Sequence, residues 1–150
     1  MTQTDFDDVI ERRVFFGHQS VGGNILDGVR DLLRESGRDW PIAELGAQHP
    51  DGGALIHARV GRNEQPLTKC DDFRRILDDG RAGHVDVAVL KFCYIDVHAQ
   101  TDTAALCDRY RATLEDMARR HPDTVFVPVT VPLRHAEGGP GVWVRWPEQG

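Results

Sequence analysis

Arg13-Val14-Phe15-Phe16-Gly17-His18-Gln19-Ser20-Val21-Gly22-Gly23 is the stretch on which the reading of this chain turns. Arg13 to Phe16 are β-branched or aromatic apart from the first, and they stop at a glycine, which is the pattern of a short strand entering a turn. Beyond the turn, Ile25, Val29, Leu32 and Leu33 recur at i, i+4, i+7 and i+8 until Gly37. That is the apolar stripe of an amphipathic helix. A strand, a tight turn and a helix in succession begin a βαβ unit.

The rest of the chain repeats this alternation. Pro41 to Leu45 reads as a second short strand, and the long stretch from Gly46 to about Pro66 shows no period, so a functional or mobile loop is expected there. Leu67 to Asp79 predicts a helix through Phe73, Ile76 and Leu77. Val85 to Cys93 is almost continuously apolar, as a central parallel strand covered on both faces must be. Asp102 to Arg120 carries Leu106, Tyr110, Leu114 and Met117 on one face, and Thr124 to Val131 is a further strand. The expected fold is α/β, a three-layer α/β/α sandwich on a parallel, flavodoxin-like sheet, in a single domain over 1–150. From 134 to 150 the period fails, so the tail is expected to be irregular and the sheet to lack its last strand and helix.

Composition excludes several classes of function. With 150 residues, 40% of them apolar and 28% charged, the chain can bury a real core, and no apolar run approaches the length of a membrane span. A net charge of −6 argues against a nonspecific grip on nucleic acid. Arg74-Arg75 and Arg119-Arg120 read as solvated helix faces. Cys70, Cys93 and Cys107 form no CxxC pair, so neither a disulfide framework nor a metal site is expected. The acidic start, Met1 to Asp8, is unlike a signal peptide, and a cytoplasmic location is expected.

In a parallel sheet, ligands bind beyond the carboxyl ends of the strands. Ser20 falls there, in a chain with only one other serine, Ser36. Three readings compete for it. Ser20 can cap the helix, a role that Gly22 or Asn24 can share. Gly17 to Gly22 has the spacing of a Walker A opening, but Gly23 and Asn24 stand where Lys and Ser/Thr are needed, which disfavours nucleotide binding. The third reading is a nucleophile.

Phe16 to Gly22, Val85 to Asp96 and Val127-Pro128-Val129-Thr130-Val131-Pro132, taken in order, resemble the SGNH/GDSL hydrolases, in a branch with GHQSVG at the first block. The resemblance covers about residues 13–133. It implies that Ser20 is the nucleophile, that a glycine and an asparagine from later loops help hold the oxyanion, and that a late Asp-x-x-His completes the triad. The glycine maps to Gly61, with Gly46, Gly52 and Gly53 as alternatives. The family's Gly-x-Asn-Asp block falls on Cys93 to Asp96, with Asp96 kept and Ile95 at the asparagine position. Isoleucine cannot donate to an oxyanion, and losing one such donor costs about 10²–10³ in turnover. That loss stands unless another donor, such as Asn63, takes over.

No Asp-x-x-His occurs in the chain. His98 and His135, beyond strand ends, are the candidate bases. His18 is expected to orient the turn, and His49, His57, His84 and His121 read as ordinary loop or helix-end residues. Ser20, Asp96 and Thr130 are expected to share one rim of the sheet. The resulting expectation is an esterase or O-acetyl hydrolase without metal or organic cofactor, taking a small ester or an acetylated carbohydrate, with no nucleic-acid or membrane partner. The alternative is a shortened relative that binds a ligand in the same crevice without efficient turnover. Trp143, Val144 and Trp146 are expected either to fold over an uncovered strip beside the last strand or to leave it as a self-association surface.

Overall fold

The computed structural model describes residues 3–48 and 51–131, the first three of these by their backbone alone. In chain order the elements are α1 (Gln3–Ile10), β1 (Arg13–His18), α2 (Ser20–Ser36), β2 (Ile42–Glu44), β3 (Ala54–Arg59), α3 (Pro66–Asp78), β4 (Val87–Leu90), a 3-10 turn (Tyr94–Asp96), α4 (Thr103–Arg120) and β5 (Val125–Pro128). The strands form one parallel sheet in the order β2-β3-β1-β4-β5. Without the short edge strand β2, the remaining four follow the 2-1-3-4 order of a flavodoxin-like sheet. Residues 134–150, including His135, Trp143, Val144 and Trp146, lie outside the described residues.

Each face of the sheet has its own apolar layer. On one side Phe16, Leu26, Leu33, Trp40 and Leu55 pack together, with Phe6 and Ile10 of α1 against them. On the other side Phe15, Ile56, Phe73, Leu90, Tyr110, Leu114 and Met117 belong to a larger cluster under α3 and α4. The alternation of Phe15 and Phe16 between the two follows from the period of two along a strand. Phe15 and Phe73 stack at 5.6 Å between ring centroids. Burying side chains of this size stabilises the fold by about 1.5–3 kcal/mol each.

One sequence expectation is corrected, and one element is added that the sequence reading did not place. The stretch from Gly46 to Pro66 is not a loop throughout: Ala54 to Arg59 is β3, flanked on both sides by parallel neighbours and buried at Ala54, Leu55, Ile56 and Ala58. Two of its four buried residues are alanines, His57 is half-buried and Ile56 is its one β-branched residue, so the β-branched enrichment that marks a strand is absent. The acidic start contributes a helix, α1, whose Phe6 and Ile10 face the core.

The order of strands creates a switch point. From β1 the chain travels first to one side, to β2 and β3, and then to the other, to β4 and β5. At such a point the connections leave on opposite faces, and a crevice opens beyond the carboxyl ends of the central strands. Ser20 follows β1 at that place. On β5, Val125 (61% exposed) and Val127 (38%) leave one sheet face uncovered among the described residues. No helix among those residues is long and apolar enough to cross a membrane.

Candidate functional site

The turn after β1 is held from below by its own strand. His18 is buried (4% exposed), stacked on Phe16 at 4.9 Å, and its Nδ1 donates to the carbonyl of Gln19 at 2.7 Å. A carbonyl only accepts, so this bond fixes the proton on Nδ1 and leaves Nε2 of the neutral ring as an acceptor. Nε2 lies 3.1 Å from Nδ1 of His57 on β3, which therefore donates. Above the ring, a Cβ on Gly22 would fall 2.2 Å from His18 Cγ, so only glycine fits at this position of α2.

Gln19, not Ser20, occupies the N-cap of α2, with extended φ of −127° and no side-chain bond to the helix. Its amide is turned away instead, donating to the carbonyls of Val60 and Gly61 at 2.8 Å each. The helix start is left without a side-chain cap. Ser20 is exposed at the first helical position, and its Oγ makes no hydrogen bond among the described residues. Gly22 N–H bonds the carbonyl of Gln19 at 2.8 Å, while no acceptor among the described residues serves the N–H groups of Ser20 and Val21. Unfilled N–H groups at the positive end of a helix dipole favour an anionic oxygen.

The other candidates form a separate cluster. Asp96 is buried (2% exposed), with Oδ1 accepting from Glu64 N–H at 2.9 Å and Oδ2 from Cys93 N–H at 2.8 Å and from Lys69 Nζ. Lys69 is fully buried and also donates to Asn63 Oδ1 at 3.0 Å. Glu64 carries the one positive φ (64°) of a non-glycine residue among those described, held there by its bond to Asp96. Gly61, at φ 58°, has its N–H on Asp72 Oδ2 at 2.7 Å, and a Cβ there would meet Lys69 N at 2.4 Å. These residues lock two loops together. In this arrangement both carboxylate oxygens of Asp96 are engaged by Glu64, Cys93 and Lys69, and the N–H of Gly61 is engaged by Asp72.

His98 is exposed beside β4 and pairs with Gln100 at 3.2 Å, while Thr130 is exposed just past β5. Ser20, Asp96 and Thr130 thus follow strands ending on one rim, but nothing joins them by hydrogen bonds. His135 lies outside the described residues. Two polar side chains near the turn escaped the sequence reading. His57, taken there as an ordinary loop residue, is on β3 against His18. Lys91, one residue past β4, is buried (3% exposed), with its N–H on Gly17 O at 2.9 Å, its Nζ donating to Phe92 O at 3.1 Å and burial drawing its pKa down.

A groove of about 420 Å³ lies between the starts of α3 and α4, lined by Gln65, Leu67, Thr101, Ala105, Leu106 and Arg109 among others. None of the sequence-derived candidates lines it. No group of three or more His, Cys, Asp or Glu among the described residues is placed to hold a metal ion. No protein-family model matches this chain, and neither does any curated protein or any solved structure.

Proposed function

We propose that this chain is a serine hydrolase of the SGNH type acting on an ester or O-acetyl group, with Ser20 as nucleophile. One observation carries the reading: the cap place at α2 belongs to Gln19, whose side chain points elsewhere, so Ser20 Oγ stands free beside unfilled N–H groups at a sheet switch point. Ser20 Oγ would attack the carbonyl carbon, giving a tetrahedral oxyanion held by the N–H groups of Ser20 and Val21. The proton leaves Oγ for a base, for which His98 and His135 are the candidates. Collapse expels the alcohol and leaves an acyl-Ser20 that water hydrolyses.

A second reading is a domain that binds a ligand in this crevice without efficient turnover. It is favoured by Ile95 at the donor position and by an Asp96 whose carboxylate is spent on Lys69, Cys93 and Glu64. A fluorophosphonate probe separates the two. Stoichiometric labelling, mapped to Ser20 by mass spectrometry and absent from Ser20→Ala, is expected on the hydrolase reading. An unlabelled wild-type protein leaves the binding domain.

A further inference from the structure

The two histidines under the Ser20 turn are joined by hydrogen bonds in a chain that ends on that turn. Reading outward, Gln19 O accepts from His18 Nδ1 at 2.7 Å, and His18 Nε2 accepts from His57 Nδ1 at 3.1 Å. The rings lie 5.2 Å apart, tilted by 37°. His18 ends β1, and His57 pairs with Phe16 on β3. The carbonyl at the far end of this chain belongs to the residue before Ser20 and is the same one that Gly22 N–H bonds. Were His57 absent, His18 could turn over, exchange its tautomer and release that carbonyl.

We propose that His57 is a positioning residue for Ser20, fixing the one tautomer and orientation of His18 that ties the first turn of α2 to the end of β1. For catalysis this rests on the nucleophile reading above; as an account of the turn it does not.

The arrangement also sets how the turn responds to acid. A first proton can enter at the outer Nε2 of His57, and its Nδ1–H still donates to His18. A second must enter at His18 Nε2, which sets two N–H groups facing each other at 3.1 Å and breaks the chain of bonds. The field around the pair is mixed: Arg59 on β3, Lys91 beyond β4 and Arg30 on α2 oppose protonation, and Glu44 on β2 favours it. Burial is the largest influence on both rings and holds each below the ordinary histidine value of 6.5. The bonded form therefore survives the first proton and is lost as pH falls below 6.5 and through the lowered value of His18.

The test compares the full chain with His57→Asn, whose side-chain amide can still donate to His18, and with His57→Leu, which cannot. NMR follows the His18 Nδ1 proton and the amides of Gln19 to Gly22, and phosphonylation of Ser20 is timed from pH 5 to 8. Wild type and His57→Asn are expected to show a protected Nδ1 proton and similar neutral labelling rates. His57→Asn should lose less of its rate in acid, because its amide can rotate to accept from a protonated His18. His57→Leu should lose the protected proton, shift the amides of Gln19 to Gly22 but not those of α4, and label up to about 10²-fold more slowly.

A His57→Leu protein that keeps the protected proton and the wild-type rate overturns the proposal. Should His57→Leu fail to fold, a folded His57→Asn protein that lacks the protected proton at neutral pH overturns it equally. Wild-type protein with the proton protected but Ser20 unlabelled supports the clamp and removes the nucleophile reading.

Discussion

Two polar clusters, one partly and one wholly buried, sit at the same rim, and they solve the cost of burial in opposite ways. Under α2, His18 and His57 are kept neutral and share one directed chain of hydrogen bonds that ends on Gln19 O. Beneath the β3–α3 and β4–α4 loops, Lys69 and Asp96 are both wholly buried and face each other as an ion pair, with Asn63, Glu64 and Cys93 completing the bonds. A neutral pair can change its protons near physiological pH, whereas a buried ion pair cannot lose one partner without stranding a charge. The first suits a place that must be aligned; the second suits a place that must not move.

The largest expected effect tests the ion pair. Asp96→Ala leaves Lys69 Nζ buried with only Asn63 Oδ1, and strips an acceptor from Glu64 N–H and Cys93 N–H. Removing one member of such a pair costs about 3–5 kcal/mol, a large fraction of the roughly 5–15 kcal/mol that holds a domain together. Urea unfolding should show a midpoint far below wild type, and the double change Lys69→Met with Asp96→Leu should recover part of it. If Asp96→Ala were as stable as wild type yet unreactive at Ser20, Asp96 would belong to the chemistry and not to the frame.

That division between clusters was half legible from sequence. The apolar stripes of α2, α3 and α4 and the dense runs at β1, β4 and β5 announce themselves, because long periodic segments satisfy one burial requirement each. β3 does not: Ala54-Leu55-Ile56-His57-Ala58-Arg59 mixes small and polar residues, and it becomes a strand by pairing with β2 and β1 on either side while its side chains enter the two face layers. Losing β3 also hid His57, which a strand reading would have aligned with the end of β1. Lys69 gave no signal, since a lysine in the first turns of a helix ordinarily reaches solvent. Ser20 was singled out by its place after the first strand, and the cap reading of it is overturned by Gln19, a residue outside the preferred N-cap set.

A pair of adjacent glycines gives a sharper and smaller test of the histidine cluster. At Gly22 a Cβ would lie 2.2 Å from His18 Cγ, while at Gly23 it would meet nothing within 4 Å. Both are in α2, where replacing glycine by alanine gains about 1 kcal/mol from helix propensity. Gly23→Ala should therefore raise the melting temperature by a few degrees. Gly22→Ala must push the His18 ring away, a form of overpacking that costs about 1–3 kcal/mol, so its melting temperature should fall and Ser20 labelling should fall with it. Equal melting temperatures for the two variants would mean that His18 does not lie against α2.

The smallest stability change is expected at Ser20 itself, and its smallness is what makes it informative. Were Ser20 the N-cap, Ser20→Ala would cost about 0.5–2 kcal/mol. It occupies the first helical position instead, exposed, with no hydrogen bond from Oγ among the described residues, while Gln19 holds the cap place. Alanine is the best helix former, so the substitution removes no contact and costs no propensity. Chemical unfolding should place Ser20→Ala within about 0.5 kcal/mol of wild type, the ordinary range for a surface change. Fluorophosphonate labelling and any aryl acetate hydrolysis should nevertheless disappear. A loss of 1 kcal/mol or more would restore the cap reading of Ser20, and hydrolysis that survives the substitution would move the nucleophile elsewhere on the rim. A serine whose removal leaves stability untouched but abolishes reaction is held in place by its neighbours, which returns the stability cost of the site to His18, His57 and Gly22.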